Sequence, residues 1–257
     1  VRSHQELVGH CEGIIRERLG DWPKQWEGFH WPGYTCEHTF RVRNLALTLA
    51  RREGADLTVV ELAAILHDVC KPTGQDHAHT GATEAARVLH RAGVERELVE
   101  RVHSAIATHA GDNTPTHPIE NRVLGDADLI DANFGLVATW RFITIRAGRE
   151  SSVSETVAAM ADWLPRKDEL LSLTRSAAGL AVAQERSAAM HAFCREIVAD
   201  YALPEGAGKG LREMVELIAA GYERASLAEQ LPQLAAGPTP VAQAAARRLA
   251  AEMAGEM

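Results

Sequence analysis

Three observations predict an all-α fold for this chain. Helix-capping signals stand in front of apolar runs, those runs repeat at intervals of three and four residues, and the strict alternation expected of a strand is hard to find. The elements follow in order. Ser3 and Glu6 form a Ser-x-x-Glu capping box, after which Leu7, Cys11, Ile14, Ile15 and Leu19 share one face, so residues 3–19 read as an amphipathic helix. Residues 21–36, DWPKQWEGFHWPGYTC, hold two prolines, two glycines and three tryptophans, which suits an ordered aromatic loop better than a flexible linker. Its rings are expected to pack on the core, with the roofing of a cleft as the alternative use.

The next helix, residues 37–52, buries Val42, Leu45, Ala46 and Leu49, and His38 lies one turn before Val42 on that inward face. A second capping box, Thr58 and Glu61, starts the helix VVELAAILHD, in which His67 follows Ala63 and Ala64 inward. Residues 97–109 carry Leu98, Val102, Ala105 and His109 on one stripe. The segment NRVLGDADLIDANFG, residues 121–135, reads as another helix and supplies Asp126, Asp128 and Asp131 after an apolar approach. Helical patterns resume at residues 170–201, and two more, rich in Ala and Leu, lie within 203–257.

Composition bounds the function. At 257 residues, 46% apolar and 24% charged, the chain is able to bury a full core without staples. Cys11, Cys36, Cys70 and Cys194 are far apart and make no C-x-x-C pair, which suits free thiols better than a disulfide frame or a structural zinc site. A net charge of −8 leaves no broad basic footprint for extended nucleic acid or anionic lipid. The N-terminus shows no secretory pattern and no run has the length of a membrane span, so a soluble, cytoplasmic protein is expected.

A single inward histidine is usually a hydrogen-bonded core residue. Three of them, on three helices, point instead to a shared ligand. Neutral imidazoles and carboxylates on facing helices converge readily on a divalent cation, and this N/O set suits Mn, Fe, Co, Ni or Zn better than calcium. One of Asp126, Asp128 and Asp131 is the expected completing carboxylate.

With His38 in EHTFRV, His67-Asp68 in AAILHDVCK and the aspartate of DADLID, the chain resembles the HD-domain metal-dependent phosphohydrolases, whose signature is H...HD...D. The resemblance covers about residues 33–202, so that an N-terminal helix and aromatic loop (1–32) precede an HD domain (33–202) and a C-terminal helical extension (203–257) follows it. Residues 170–201 look like the closing helices of a bacterial branch that includes nucleotide pyrophosphohydrolases. The resemblance implies an HD-type helical bundle in which His38, His67, Asp68 and Asp128 hold the metal, with Asp126 outside the ligand set.

A divalent ion lowers the pKa of bound water and holds phosphate oxygens for attack on phosphorus. Asp68 would also hydrogen-bond the attacking water. Lys71 is expected to act with Asp68 in catalysis and to bind substrate phosphate; Arg41 is a further phosphate clamp, their alternatives being a helix-terminal cation and an exposed salt bridge. His77, four residues before Gly81 as in two-metal HD enzymes, and His109 are assigned to a second ion, to substrate or to the core, with His79 as the alternative to His77. His30, His103 and His117 are read as surface or loop residues.

The expected reaction is hydrolysis of a small phosphorylated molecule, a nucleotide first among them, with release of phosphate or pyrophosphate. Two other readings stand beside it. Some HD proteins are di-iron oxygenases, and His38, His67, Asp68, His77, His109 and Asp128 would satisfy their ligand count, although Tyr34 and Glu37 abut His38 where such enzymes separate them by a longer segment. The other is a nucleotide sensor with a degenerate site.

Overall fold

The computed structural model describes residues 3–20, 34–73, 76–204, 206–222 and 224–256, and these contain helices and no strand. The chain divides into two compact units. One takes the described residues of Val1–Pro23, Pro32–Asp131 and Leu173–Val182; the other takes those of Ala132–Ser172 and Ala183–Met257.

In the first unit, α1 (His4–Leu19) begins at the expected capping box: Ser3 Oγ accepts from the Glu6 N–H and the Glu6 carboxylate accepts from the Ser3 N–H. It buries Leu7, Cys11, Ile15 and Leu19. α2 (Tyr34–Glu53) starts three residues earlier than the sequence suggests and buries the expected Val42, Leu45, Ala46 and Leu49. The aromatic loop at 21–33 lies outside the described residues.

α3 (Leu57–Leu66) is the centre of this unit. Seven of its residues, Val59, Val60, Leu62, Ala63, Ala64, Ile65 and Leu66, are buried, as expected of a helix surrounded on every side. It packs against α1, α2, α4 (His77–Arg91) and α5 (Arg96–Ala107). Its N-terminus corrects the sequence reading. Asp56, not Thr58, is the cap, with Oδ1 accepting from the Thr58 N–H at 2.9 Å and the Val59 N–H at 3.4 Å. Glu61 meets His4 Nε2 at 2.8 Å. An aspartate one residue ahead of the helix is as good a cap as a threonine and takes the first turn.

α5 ends at Ala107, so His109 stands beyond it and not on its last turn. α6 (Ile119–Asn133) carries the three aspartates, and buried Asn121 fastens its start by donating to Ser104 O and Oγ and to Thr108 Oγ1 at 3.0–3.1 Å.

The second unit is built from α7 (Leu136–Gly148), α8 (Val153–Ala158), α9 (Met160–Asp168), the greater part of α10 (Ala177–Tyr201), α11 (Leu211–Ala220), α12 (Leu227–Ala235) and α13 (Pro240–Met253). Residues 203–257 thus form three helices where two were expected, because Ser226 starts α12 with its own capping box, Ser226 and Glu229. Trp140 of α7 is buried and donates through Nε1 to Gln230 Oε1 at 3.1 Å. Gly135 precedes α7 with φ +96°, and the Glu252 carboxylate of α13 occupies the space where a Cβ would stand. That carboxylate accepts from the Leu136 and Val137 N–H groups at 3.1 and 3.0 Å, capping α7 from another helix.

Candidate metal centre

Each prospective ligand is set by local backbone geometry. His38 lies one turn into α2, His67 follows the last residue of α3, and Asp68 stands in the turn closed by the Lys71 N–H bonding Asp68 O at 2.8 Å. Gly81 lets α4 approach this turn. A Cβ there would lie 3.1 Å from the His67 carbonyl oxygen.

The histidines are oriented alike. His67 Nδ1 donates to Ala64 O at 2.7 Å, and His109 Nδ1 donates to Ile106 O at 2.6 Å. A carbonyl only accepts, so both Nδ1 atoms carry the proton and both Nε2 atoms, in neutral rings, present lone pairs. His38 Nδ1 meets Asp131 Oδ2 at 2.7 Å, and its Nε2 meets Asp128 Oδ1 at 2.9 Å. Fixing one imidazole nitrogen on an acceptor is how proteins aim the other at a metal.

The aimed atoms converge. His38, His67 and Asp128 offer ligand atoms within 4.8 Å of one another, as do His67, Asp68 and His109. Asp68 joins the two sets: its Oδ2 lies 3.5 Å from His67 Nε2 and 3.9 Å from His38 Nε2, while its Oδ1 lies 3.8 Å from His109 Nε2 and 3.6 Å from His77 Nε2. His67 Nε2, His109 Nε2 and Asp68 Oδ2 are buried without a hydrogen-bond partner. A buried polar atom left so costs about 1–3 kcal/mol, and three pointing at one place fit the residues to a divalent cation.

Burial alone would lower the His38 pKa, but Asp128 and Asp131 outweigh it and hold the ring up at about 10, so its Nε2 carries a proton that an incoming cation would displace. Burial would likewise raise Asp68, yet Lys71 and His67 hold it well below the usual carboxylate range; Asp128 is held low against burial by His38 and the neighbouring histidines. Both carboxylates are therefore anionic at neutral pH. One side of the centre is closed, with the His67, Asp68 and His109 side chains no more than 1% exposed, whereas Asp128 and Lys71 are each 22% exposed and His77 is 16%. Among these residues, those three are the ones that reach solvent.

The remaining sequence candidates fall into place. Lys71 Nζ donates to Asp68 Oδ1 and to His77 Nε2, each at 3.2 Å. His77, not His79, is the member of the pair near the centre: His79 is exposed and bonds Asp76. Burial and the Lys71 charge push the His77 pKa down to about 4, so its ring is neutral and accepts from the lysine. Arg41 is buried, and its Nε and Nη2 donate to Asp131 at 2.9 and 3.0 Å, while Nη1 lies 3.9 Å from Glu37 Oε2.

Asp126 is not among the converging side chains. It accepts from the Arg175 and Ser176 N–H groups and from Ser176 Oγ, at 2.6–2.8 Å, and fastens the chain ahead of α10. The carboxylate that does orient a histidine is Asp131. The available signal was periodicity: Asp128 and Asp131 lie three apart on one helix, as His38 and Arg41 do on another. Exposed His103 and half-buried His117 lie away from the centre, and His30 lies outside the described residues.

Residues 35–133 match the family model described as "HD domain". The protein YpgQ of Bacillus subtilis is 26% identical over 173 residues, which cover 65% of this chain and 84% of YpgQ. A predicted HD superfamily hydrolase from an uncultured Thermotogales bacterium is 26% identical, covering 77% of this chain and 92% of its own, with a TM-score of 0.54. An HD-superfamily hydrolase from Bacillus thuringiensis has the same fold at 21% identity, covering 79% of this chain and all of its own, with a TM-score of 0.60. YpgQ in complex with ADP matches at 22% identity, over 79% of this chain and 97% of its own, with a TM-score of 0.58. This fold supports a metal-dependent phosphohydrolase in general.

Proposed function

We propose that this chain hydrolyses a phosphoester or phosphoanhydride bond of a small nucleotide at a divalent metal held by His38, His67, Asp68 and Asp128. The observation that carries the reading is the convergence of His67 Nε2, buried and unpartnered, with Asp68 Oδ2, also unpartnered, and Asp128 Oδ1 within 3.5–3.9 Å. When bound, the metal supplies Lewis-acid polarisation of a phosphate oxygen and a water of lowered pKa.

The chain's own groups do the rest. Asp68 is anionic and faces both ligand sets, so it is the group to accept a hydrogen bond from the attacking water and fix its direction. Lys71, beside Asp68 on the open side, offers an ammonium to a phosphate oxygen and to the charge that develops on it. Asp131, itself gripped by Arg41, holds the His38 ring in place. His109 and His77 flank the Oδ1 side of Asp68, where they are the candidates to hold a second ion or a substrate phosphate.

The nucleotide is supported by YpgQ, a relative whose crystals contain ADP. A pocket-sized ligand also suits a net charge of −8, because an extended nucleic-acid track needs many phosphate contacts.

The test is metal analysis of the purified chain, followed by reconstitution with Mn, Co, Ni, Zn or Fe and a panel of nucleotides and phosphate esters scored for phosphate and for pyrophosphate. Metal-dependent release without oxygen is the expected result. Turnover that strictly requires iron and dioxygen would establish the oxygenase reading instead, and nucleotide binding without any turnover the degenerate sensor.

A further inference from the structure

The second unit holds a cationic cavity that shares no residue with the metal centre. It lies between α7 and α9 and has a volume of about 420 Å³, within the range of small-molecule sites. Residues 138, 141, 142, 145, 146 and 149 recur along one face of α7, and 159, 162, 163, 166 and 167 recur along one face of α9, so the helical period aims both faces at the same space.

Its charge is one-sided. Arg141 and Arg146 come from α7, Arg149 from its C-terminal cap and Arg166 and Lys167 from α9, against one acidic residue, Asp162, among the described lining residues. This concentration of positive charge stands in a chain whose net charge is −8. Among the described residues, no carboxylate forms a salt bridge with Arg146, Arg166 or Lys167: Lys167 Nζ donates to Asn133 Oδ1 at 2.6 Å, and Arg146 Nη2 reaches Glu155 O at 3.5 Å. Burial and the neighbouring Arg141 charge push the Lys167 pKa down to about 8.

The lining is also aromatic. Phe142 and Trp163, both half-buried, stack with centroids 4.5 Å apart and planes at 25°, and the Lys167 ammonium stands 5.8 Å from the Trp163 ring centre. Cations and flat rings lining one cavity match a ligand that carries both an anionic and a planar part. Phosphate oxygens would neutralise the arginines through charge-assisted hydrogen bonds, and a base would stack on the rings. Inorganic phosphate would satisfy only the first half.

We propose that the cavity between α7 and α9 is a binding site for a nucleoside phosphate, with Arg146, Arg166 and Lys167 taking the phosphate groups and Trp163 with Phe142 taking the base. The site is independent of the metal reading, because none of its groups depends on the ligands of the first unit.

Calorimetric titration of the full chain with ADP, under chelator so that nothing is hydrolysed, tests it. ADP is expected to bind the parent and Asp68→Ala alike. Arg146→Ala combined with Arg166→Ala, both exposed or half-buried changes, should weaken binding at least tenfold. Trp163→Leu should weaken ADP and leave inorganic phosphate unaffected; circular dichroism of each variant identifies any that has lost its helices. ADP binding that is absent in the parent, unchanged in the double arginine variant, or lost in Asp68→Ala would overturn the proposal, as would phosphate binding as tightly as ADP. Failure of hydrolysis in the nucleotide panel would leave this titration untouched.

Discussion

Asp68 in the first unit and Glu252 in the second are both carboxylates with almost no exposure to solvent, at 0% and 2%. Their partners differ. Glu252 uses both oxygens on the backbone N–H groups that open α7, with Arg248 Nε 3.5 Å away. Asp68 keeps Oδ2 without a hydrogen bond, beside two histidine Nε2 atoms that are also without one. Burial of charge is costly in either place, and only saturation repays it within the fold. A saturated buried carboxylate is a structural cap; an open one among open imidazoles has the chemistry that fits a cation. Exposure by itself does not separate the two.

The sharpest way to break this contrast is to remove both groups in turn. Asp68→Ala is expected to lower turnover by more than about a hundredfold, beyond the tenfold to hundredfold loss seen when residues behind metal ligands are changed, and to reduce bound metal while the helical signal stays. Normal metal content and activity in that variant would end the assignment. Glu252→Ala should do the opposite: loss of about 2–6 kcal/mol of stability, since two backbone N–H groups each lose an acceptor at about 1–3 kcal/mol, with metal stoichiometry intact by elemental analysis.

A smaller effect probes the layer behind the ligands. Asp131→Asn leaves the shape but weakens the grip on His38 Nδ1 and on Arg41, so metal affinity should fall by about tenfold to a hundredfold in a competition titration. Unchanged affinity would show that His38 is oriented by packing alone.

Lys71→Ala sharpens the division between holding the ion and holding the substrate. Losing one charged hydrogen bond of about 1.5–3 kcal/mol, kcat/KM should fall by about tenfold to a hundredfold with metal occupancy near the parent's. A parallel loss of metal would move Lys71 into the ion's own support.

The smallest expected effect concerns another saturated carboxylate. Asp200, near the end of α10, accepts from the Leu211 and Arg212 N–H groups at 2.8 and 3.1 Å and so serves as a cap for α11. These bonds and the neighbouring Lys209 N–H hold its pKa below the ordinary value in spite of burial. A depressed carboxylate contributes stability above its unfolded pKa of about 3.9 and loses that contribution as pH falls through the lower folded value. Asp200→Ala should therefore cost about 1 kcal/mol at pH 7 in a denaturant titration, with the gap to the parent closing in strong acid.

The sequence by itself determined the helices and the ligand types, because both are written in short-range patterns. Capping at Ser3 and the apolar stripes of α1, α2 and α3 follow from the 3.6-residue period, and that same period turned His38 and His67 inward. What a period cannot carry is distance between helices. That Asp131 holds His38 while Asp126 fastens the chain before α10, that His77 and not His79 joins Lys71, and that Glu252 closes a helix starting at Leu136 were decided by packing alone. Each joins residues whose hydrogen-bonding capacity is plain in the sequence to a partner chosen only when the backbone brings it within about 3 Å. The cationic face of α7 was hidden for a related reason. Arg141, Arg146 and Arg149 share a cavity with Arg166, Lys167 and Trp163 only because α9 packs beside α7.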